Sequence, residues 1–232
     1  MAQIICTMAL TSCTGKKNDD TGTVKESSKK SSSSSKANPE SDFRVELTDD
    51  GTGVRILEYI ESSPNVIIPE TIQGMTVTEI NPGFCVNEEW IDELGTHKSN
   101  KFIKKLIFPD TVREFSGEYT EHIGALIALE YVKLPKYLKN KTYNKVSMIG
   151  PNELVSTAPI SFGGCTSLKS IKIPASVKRF TNSFWGCTSL KEIIFPETAT
   201  NYEFEGSYVF AETNLPVMTQ AKIKQLGYTE GF

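Results

Sequence analysis

Cysteine is the residue type here with the widest chemistry, since thiols bind metals, form disulfides and act as nucleophiles. Cys165 and Cys187 are 22 residues apart (187 minus 165), and Cys85 follows Phe84. These cysteines form no close pair of the C-x-x-C kind, so no zinc site is expected. Stacked strands about 4.8 Å apart would put Cys165 and Cys187 within reach of a disulfide, although in-line stacking makes its geometry awkward. The favoured interpretation is buried free thiols that pack as small hydrophobic side chains.

Other residues with catalytic potential lack the partners that catalysis needs. His97 and His122, the only histidines, lie in or beside polar segments with no cysteine nearby. Neither a G-x-S-x-G elbow nor a glycine-rich phosphate loop occurs in the sequence. Asp49-Asp50-Gly51 lacks the spacing of a calcium loop and is typical of a turn. We therefore expect no enzyme activity, no cofactor and no metal site.

The cysteines belong to a repeat that dominates the second half of the chain. CTSLKSIKIP at 165–174 returns as CTSLKEIIFP at 187–196, with apolar residues and proline at matching offsets. A fixed period of this size is typical of a solenoid, in which each repeat buries its apolar edge against the next. Alternation before each proline predicts a short strand that the proline ends. Looser copies end at Pro69, Pro109 and Pro135, and residues 85–101 and 139–160 are interpreted as insertions between repeats.

The two ends of this array differ from the repeats themselves. Two alternating segments, 43–47 and 54–59, flank an Asp-Gly turn and predict a β-hairpin cap within residues 41–62. Repeats occupy 63–214, and a C-terminal cap occupies 215–232. The cap is predicted to contain a helix with an apolar stripe of Val217, Ala221 and Ile223, and Gly227 as its C′ residue.

The N-terminal forty residues differ in composition from everything after them. Residues 1–13 are short and mostly apolar and end at Leu10-Thr11-Ser12-Cys13, which resembles a bacterial lipoprotein signal with Cys13 as the lipidated residue. No Lys or Arg precedes the apolar run, unlike a usual secretory signal; the alternative is a disordered terminus with an accidental cysteine. Residues 14–40 are polar and serine-rich and predict a flexible tether.

Charge composition excludes one class of partner. The chain has 25 basic and 28 acidic residues; residues 1–40 hold six and four of these, which leaves 19 minus 24, or −5, for the rest. Nucleic-acid binding would require a clustered basic surface on a basic domain. No apolar run is long enough to span a bilayer, so the predicted membrane contact is a lipid anchor alone.

The pattern C-x-x-L-x-x-I-x-I/F-P-x-x-V-x-x-F resembles the BspA-like leucine-rich repeat of bacterial surface proteins. Phe162-Gly-Gly-Cys165 and Phe184-Trp-Gly-Cys187 fit its phenylalanine and cysteine positions, and residues 66–84 are similar to its usual first repeat. The resemblance covers roughly residues 42–228. It implies a β-rich leucine-rich-repeat solenoid of short parallel strands, at the outer membrane or cell surface. Because some members bind host matrix proteins such as fibronectin or fibrinogen, it also implies an adhesin-like protein–protein interaction module.

The strand phase also predicts where a protein partner would bind. Residues between the inward positions point outward and form two columns across the repeats. The side chains chosen as candidates combine exposed apolar area with a basic strip: Ile67, Lys105, Ile107, Tyr131, Lys133, Lys172 and Ile194. An ordinary solvated sheet face is the alternative. For the whole protein, the alternative to a surface interaction module is a periplasm-facing scaffold lipoprotein without a host ligand.

Overall fold

A computed structural model of the chain describes residues 36–81, 83–85, 101–116, 126–138, 162–181, 183–198 and 200–232. The predicted lipidation site Cys13, the tether before residue 36, both histidines and most of the two predicted insertions lie outside the described residues. No described helix has both the length and the apolar character required to cross a membrane.

Short strands make up most of the regular secondary structure in the described part of the chain. A 3-10 turn at Glu40–Asp42 comes first, and one α-helix, α1 (Val217–Gln225), comes last among the described elements. The strands between them are β1 (Phe43–Leu47), β2 (Val54–Tyr59), β3 (Asn65–Ile67), β4 (Thr71–Ile72), β5 (Met75–Ile80), β6 (Lys105–Ile107), β7 (Glu114–Phe115), β8 (Tyr131–Lys133), β9 (Ser170–Lys172), β10 (Arg179–Thr181), β11 (Glu192–Ile194) and β12 (Glu203–Glu205).

The strands that precede the repeat prolines form one parallel sheet in the order β3-β6-β8-β9-β11. Their registers place equivalent repeat positions side by side. The middle residue of every strand is buried, which gives an inward column of Val66, Leu106, Val132, Ile171 and Ile193. The predicted strand phase is therefore confirmed, and each proline follows the strand at the position where the chain turns away.

Strands that follow the prolines pair on a second side of the core. β7 joins β5 in parallel, β2 also joins β5 in parallel, and β10 pairs with β12. Side chains from the parallel sheet and from these strands meet in the core; Phe108, for example, is fully buried and contacts Phe115 edge-on, with ring centroids 5.3 Å apart. The core is thus a shared column and belongs to no single repeat.

The repeated turn before each cysteine position fixes the backbone in the left-handed region. Gly164 and Gly186 have φ angles of +77° and +68°. Glu212, which follows Phe210 as Gly186 follows Phe184, has φ +59°. This conformation costs a residue with a Cβ about 1–2 kcal/mol, so glycine suits the first two turns, whereas the last turn keeps a strained glutamate.

The three cysteines of the described residues lie in the core. Cys85, Cys165 and Cys187 are all buried, with their thiols reduced. The Cys187 thiol donates to the Phe162 carbonyl oxygen at 3.1 Å, across one repeat. Burial raises the pKa of Cys187 to about 12 and raises that of Cys165 as well. Such thiols stay protonated at neutral pH and behave as packing residues.

The first two strands form the predicted hairpin. β1 and β2 are antiparallel, and the Thr48 N–H donates to the Gly53 carbonyl oxygen across the turn. Asp50 accepts from the Thr52 N–H and from the Thr48 hydroxyl, and these bonds lower the pKa of Asp50 to about 2. Phe43, Ile56 and Tyr59 point into the core from this hairpin.

The predicted stripe of the C-terminal helix is wrong in part. Ile223 is fully buried, but Ala221 is exposed and Val217 is 78% exposed. The helix contacts the stack through Ile223 and through Tyr228 beyond its end, and its first turn therefore projects into solvent. Gly227 does follow the helix with φ +109°, and its N–H donates to the Lys224 carbonyl oxygen, as expected of a C′ glycine.

Candidate protein-interaction surface

The outward side of the parallel sheet brings the predicted candidate residues together. We call this surface the ladder face. Its two columns run across the strands in register, one of them Asn65, Lys105, Tyr131, Ser170 and Glu192, and the other Ile67, Ile107, Lys133, Lys172 and Ile194. Candidates that are up to 127 residues apart in the chain (194 minus 67) therefore share one surface.

Exposure differs along the ladder face. Tyr131 and Ile194 are 47% and 41% exposed, and Lys133 and Lys172 are exposed as well. Ile67 on the edge strand β3 and Ile107 on the adjacent strand β6 are half-buried. The accessible apolar area is therefore concentrated on β8 and β11 and is smaller than the sequence suggested.

The outer edge of β3 is closed by the backbone and side chain of Asn38 and by the side chain of Ser63. The Asn38 N–H donates to the Ile67 carbonyl oxygen at 2.8 Å, and the Ile67 N–H donates to Asn38 Oδ1 at 2.7 Å. The Ser63 hydroxyl bridges the Asn65 N–H and carbonyl at 3.2 Å in the same way. Edge strands with unpaired peptide groups attract other chains, so this end of the sheet is protected from strand addition.

Basic side chains dominate the electrostatics of this surface. Lys133 pairs with Asp110 at 3.1 Å, whereas Lys105 and Lys172 form no ion pair with the described residues. Lys169, one position before β9, contacts Glu130 at 2.8 Å, and its hydrogen bond lowers the pKa of that carboxyl. Lysines therefore outnumber carboxylates on a domain whose net charge is negative.

Sequence reasoning missed the lysines that border the ladder face. Lys104, Lys169 and Lys191 each precede a strand by one residue and are exposed. The repeated Leu-Lys at 168–169 and 190–191 was the available signal. Lys191 also donates to the Asn214 carbonyl oxygen at 3.1 Å, which ties the border to the segment before α1.

Metal-ligating side chains are not clustered within the described residues. Among them, no group of three or more His, Cys, Asp or Glu side chains lies close enough together to hold a metal ion. Exposed aromatic side chains do occur off the ladder face, at Tyr137, Trp185 and Tyr208. The Arg113 guanidinium lies over the Tyr137 ring, 5.2 Å from its centroid, so one face of this ring is partly covered.

Residues 127–229 match the model of the BspA type leucine rich repeat region, in six copies. No curated protein matches the chain. Three solved structures are similar to it: a Treponema pallidum (T. pallidum) leucine-rich-repeat protein, a leucine-rich cell surface protein from Faecalibacterium prausnitzii and a leucine-rich-repeat protein from Bacteroides ovatus.

These structures share little sequence with the chain. The T. pallidum protein is 22% identical, with 85% of this chain and 99% of that one covered and a TM-score of 0.40. The F. prausnitzii protein is 17% identical, with 80% and 48% covered and a TM-score of 0.42. The B. ovatus protein is 18% identical, with 75% and 56% covered and a TM-score of 0.26.

Proposed function

We propose that the ladder face binds a protein partner at the bacterial surface, because residues 127–229 match the leucine-rich repeats of the BspA type and such repeats are protein-interaction modules. The observation that carries the proposal is the continuous register of the parallel sheet. It extends the repeat surface from β11 through β8 to β3 and gathers Tyr131, Ile194 and the lysines on one side.

The chemistry of the face favours a particular kind of partner. Tyr131 supplies an amphipathic ring of the type enriched at interface centres, and Ile194 adds apolar area. Lys105 and Lys172 have no acidic partner among the described residues, so carboxylates of a bound protein can form ion pairs with them. A flat sheet suits a protein surface better than a small molecule, which requires a concave pocket.

The ends of the stack support the same proposal. We propose that the β1–β2 hairpin caps the first repeat through Phe43, Ile56 and Tyr59, which are all buried. The segment with α1 caps the last repeat, where Tyr228 contacts Phe210 edge-on at 5.0 Å between ring centroids. Capped ends leave the exposed sheet side, and not the open core, available for binding.

Binding should depend on the centre of the ladder face. We expect the Tyr131→Ala, Ile107→Ser double variant to weaken binding by about tenfold or more, equivalent to about 1.4 kcal/mol. Immobilised fibronectin and fibrinogen are the first probes, measured by surface plasmon resonance. The control is Tyr208→Ala with Val217→Ser, two exposed positions off the ladder face. Binding that survives the first pair but is lost on deleting 88–100 or 139–158 would assign recognition to those segments.

The cellular part of the proposal is anchoring through Cys13, with an adhesin-like role outside the cell. The alternative is a scaffold lipoprotein that faces the periplasm. Protease added to intact cells separates them, because residues 14–40 are polar and readily cleaved if they are outside. We expect rapid release of a fragment that starts within this segment. Full protection until the outer membrane is permeabilised would instead support the periplasmic scaffold.

A further inference from the structure

The outer edge of β1 is an edge of the sheet that contains the hairpin, and it differs from the outer edge of β3 in the parallel sheet. β1 ends the sheet order β1-β2-β5, and within the described residues no strand lies beyond it. Its pairing with β2 contains a bulge, but the additional residue, Leu57, belongs to β2, so β1 itself remains regular. Arg44, Glu46 and Leu47 are all exposed, and Leu47 is 60% exposed.

The peptide groups that face outward on β1 can be assigned from the bonds at its two ends. The Ile60 N–H donates to the Asp42 carbonyl oxygen, and the Thr48 N–H donates to the Gly53 carbonyl oxygen, so these even-numbered residues turn toward β2. By alternation along the strand, Val45 and Leu47 direct both N–H and C=O away from β2. The Phe43 N–H donates to the Glu40 carbonyl oxygen, whereas the Phe43 carbonyl oxygen faces outward like those of Val45 and Leu47.

The sequence of β1, Phe-Arg-Val-Glu-Leu, is complementary to itself in the antiparallel direction. A two-fold axis at Val45 places Arg44 opposite Glu46 of a second copy, and Phe43 opposite its Leu47. Moving the two-fold axis by one residue would place Arg44 opposite Arg44 (axis at 44) or Glu46 opposite Glu46 (axis at 46). Like charges directly opposite each other destabilise a strand pair, so one register is selected.

Existing ion pairs extend this pattern on both sides. Arg44 contacts Glu58 of β2 at 2.9 Å, and Glu46 contacts Arg55 at 2.7 Å. Across the two-fold axis the charges would alternate in one row: Glu58, Arg44, then Glu46 and Arg55 of the second copy. On the opposite side of the strand, Leu47 would lie against Phe43 of the second copy, with that copy's Val45 as its diagonal neighbour.

We propose that the outer edge of β1 pairs antiparallel with β1 of a second copy of this chain, centred on Val45. Reciprocal bonds between the two Val45 residues and a bond from each Leu47 N–H to the opposite Phe43 carbonyl oxygen join the sheets. The resulting interface is small, below the about 1,200 Å² of stable complexes, so the dimer is concentration-dependent. Copies held close together would associate more readily than free ones.

Sedimentation velocity of the full chain, in reducing buffer from about 1 µM to about 1 mM, tests the proposal. We expect a monomer–dimer equilibrium, with association weakened tenfold or more by Arg44→Glu and, separately, by Glu46→Arg. Mixing these two variants should restore association, because every cross-strand pair in the mixed dimer again joins an acid to a base. Lys172→Glu on the ladder face is the matched charge-reversal control and should leave association unchanged.

Each remaining result overturns the proposal. The proposal is wrong if the full chain stays monomeric at about 1 mM. It is also wrong if the chain dimerises and Arg44→Glu leaves that dimer intact. The Arg44 side chain is 63% exposed and makes one ion pair, so we expect the Arg44→Glu variant to keep its fold. If Glu46→Arg proves unstable because native Glu46 also contacts Arg55, the Arg44→Glu variant alone decides the test. Far-ultraviolet circular dichroism monitors the fold of both variants.

Discussion

Replacing Phe184 with alanine is expected to lower the free energy of unfolding by about 3–5 kcal/mol, the upper range for removing a buried aromatic side chain. Phe184 is 1% exposed and lies at the middle of a column formed by one phenylalanine from each of three repeats. Its ring stacks on Phe162 at 5.9 Å and on Phe210 at 5.6 Å between centroids, with interplanar angles of 9° and 6°. Truncation therefore leaves a cavity and removes both contacts between neighbouring repeats.

Urea denaturation followed by tryptophan fluorescence and circular dichroism measures this effect. Trp185→Ala is the matched control, since Trp185 is the next residue but 46% exposed, and we expect a cost below about 1 kcal/mol; this variant is followed by circular dichroism alone. The loss in free energy of unfolding for Phe184→Leu should lie between those of the two alanine variants, because leucine fills part of the cavity. If the alanine variants at 184 and 185 cost the same, the phenylalanine column is not a core element of the stack.

The parts of the fold that repeat could be predicted from the sequence. Proline ends each ladder strand and alternation fixes which residues point inward, so the repeat pattern alone assigns Ile171 and Ile173 to the core, where both are buried. The ladder face followed from the same phase, since residues between inward positions must point outward. A local rule repeated at a fixed offset carries this information, and it requires no knowledge of long-range contacts.

The parts that occur once in the chain could not be predicted in the same way. Asn38 closes the edge of β3 across a separation of 29 residues, and no repeated offset announces that contact. The same applies to the helix, where three apolar residues suggested a stripe but only Ile223 is buried. Its packing depends on Tyr228 and Phe210, which come from different segments, and helical periodicity alone carries no such information.

A contact from outside the repeats explains why the exposure of Ile67 was not predicted, although the composition of the ladder face was. Ile67 and Ile107 point outward as expected, yet both are half-buried, whereas Tyr131 and Ile194 remain open. At Ile67 the backbone is bonded to Asn38, which brings the segment before the hairpin against the sheet edge. Alternation assigns a side chain to a face of the sheet but does not show what else covers that face.

Arg55 of β2 forms ion pairs with the strands on both sides, β1 and β5, and its loss should destabilise this sheet strongly. Its guanidinium contacts Glu79 of β5 at 2.7 Å and Glu46 of β1 at 2.7 Å, and its Nε donates to the Ser116 hydroxyl at 2.9 Å, just beyond β7. The Ser116 hydroxyl donates to the same Glu79 carboxylate. Burial opposes the charge on Arg55, but the hydrogen bonds to Glu79 and Glu46 outweigh it and raise the pKa of the guanidinium.

We therefore expect Arg55→Leu to destabilise the protein by about 2–3 kcal/mol, because it leaves the Glu79 carboxylate partly buried without a cation. The value is below the about 3–5 kcal/mol of fully buried pairs, since 14% of Arg55 and 20% of Glu79 remain exposed. Arg44→Leu, which removes an ion pair from a 63% exposed side chain of the same sheet, is the control and should cost less than about 1 kcal/mol.

A double-mutant cycle distinguishes loss of the ion pair from loss of packing. Combining Arg55→Leu with Glu79→Leu removes both charges, so the double variant should be clearly more stable than the sum of the two single effects predicts. Urea denaturation of the four proteins gives the coupling free energy, expected at about 1–2 kcal/mol. Strictly additive effects would show that Arg55 stabilises the sheet through its aliphatic stem, since burial of the stem does not depend on the charge of Glu79.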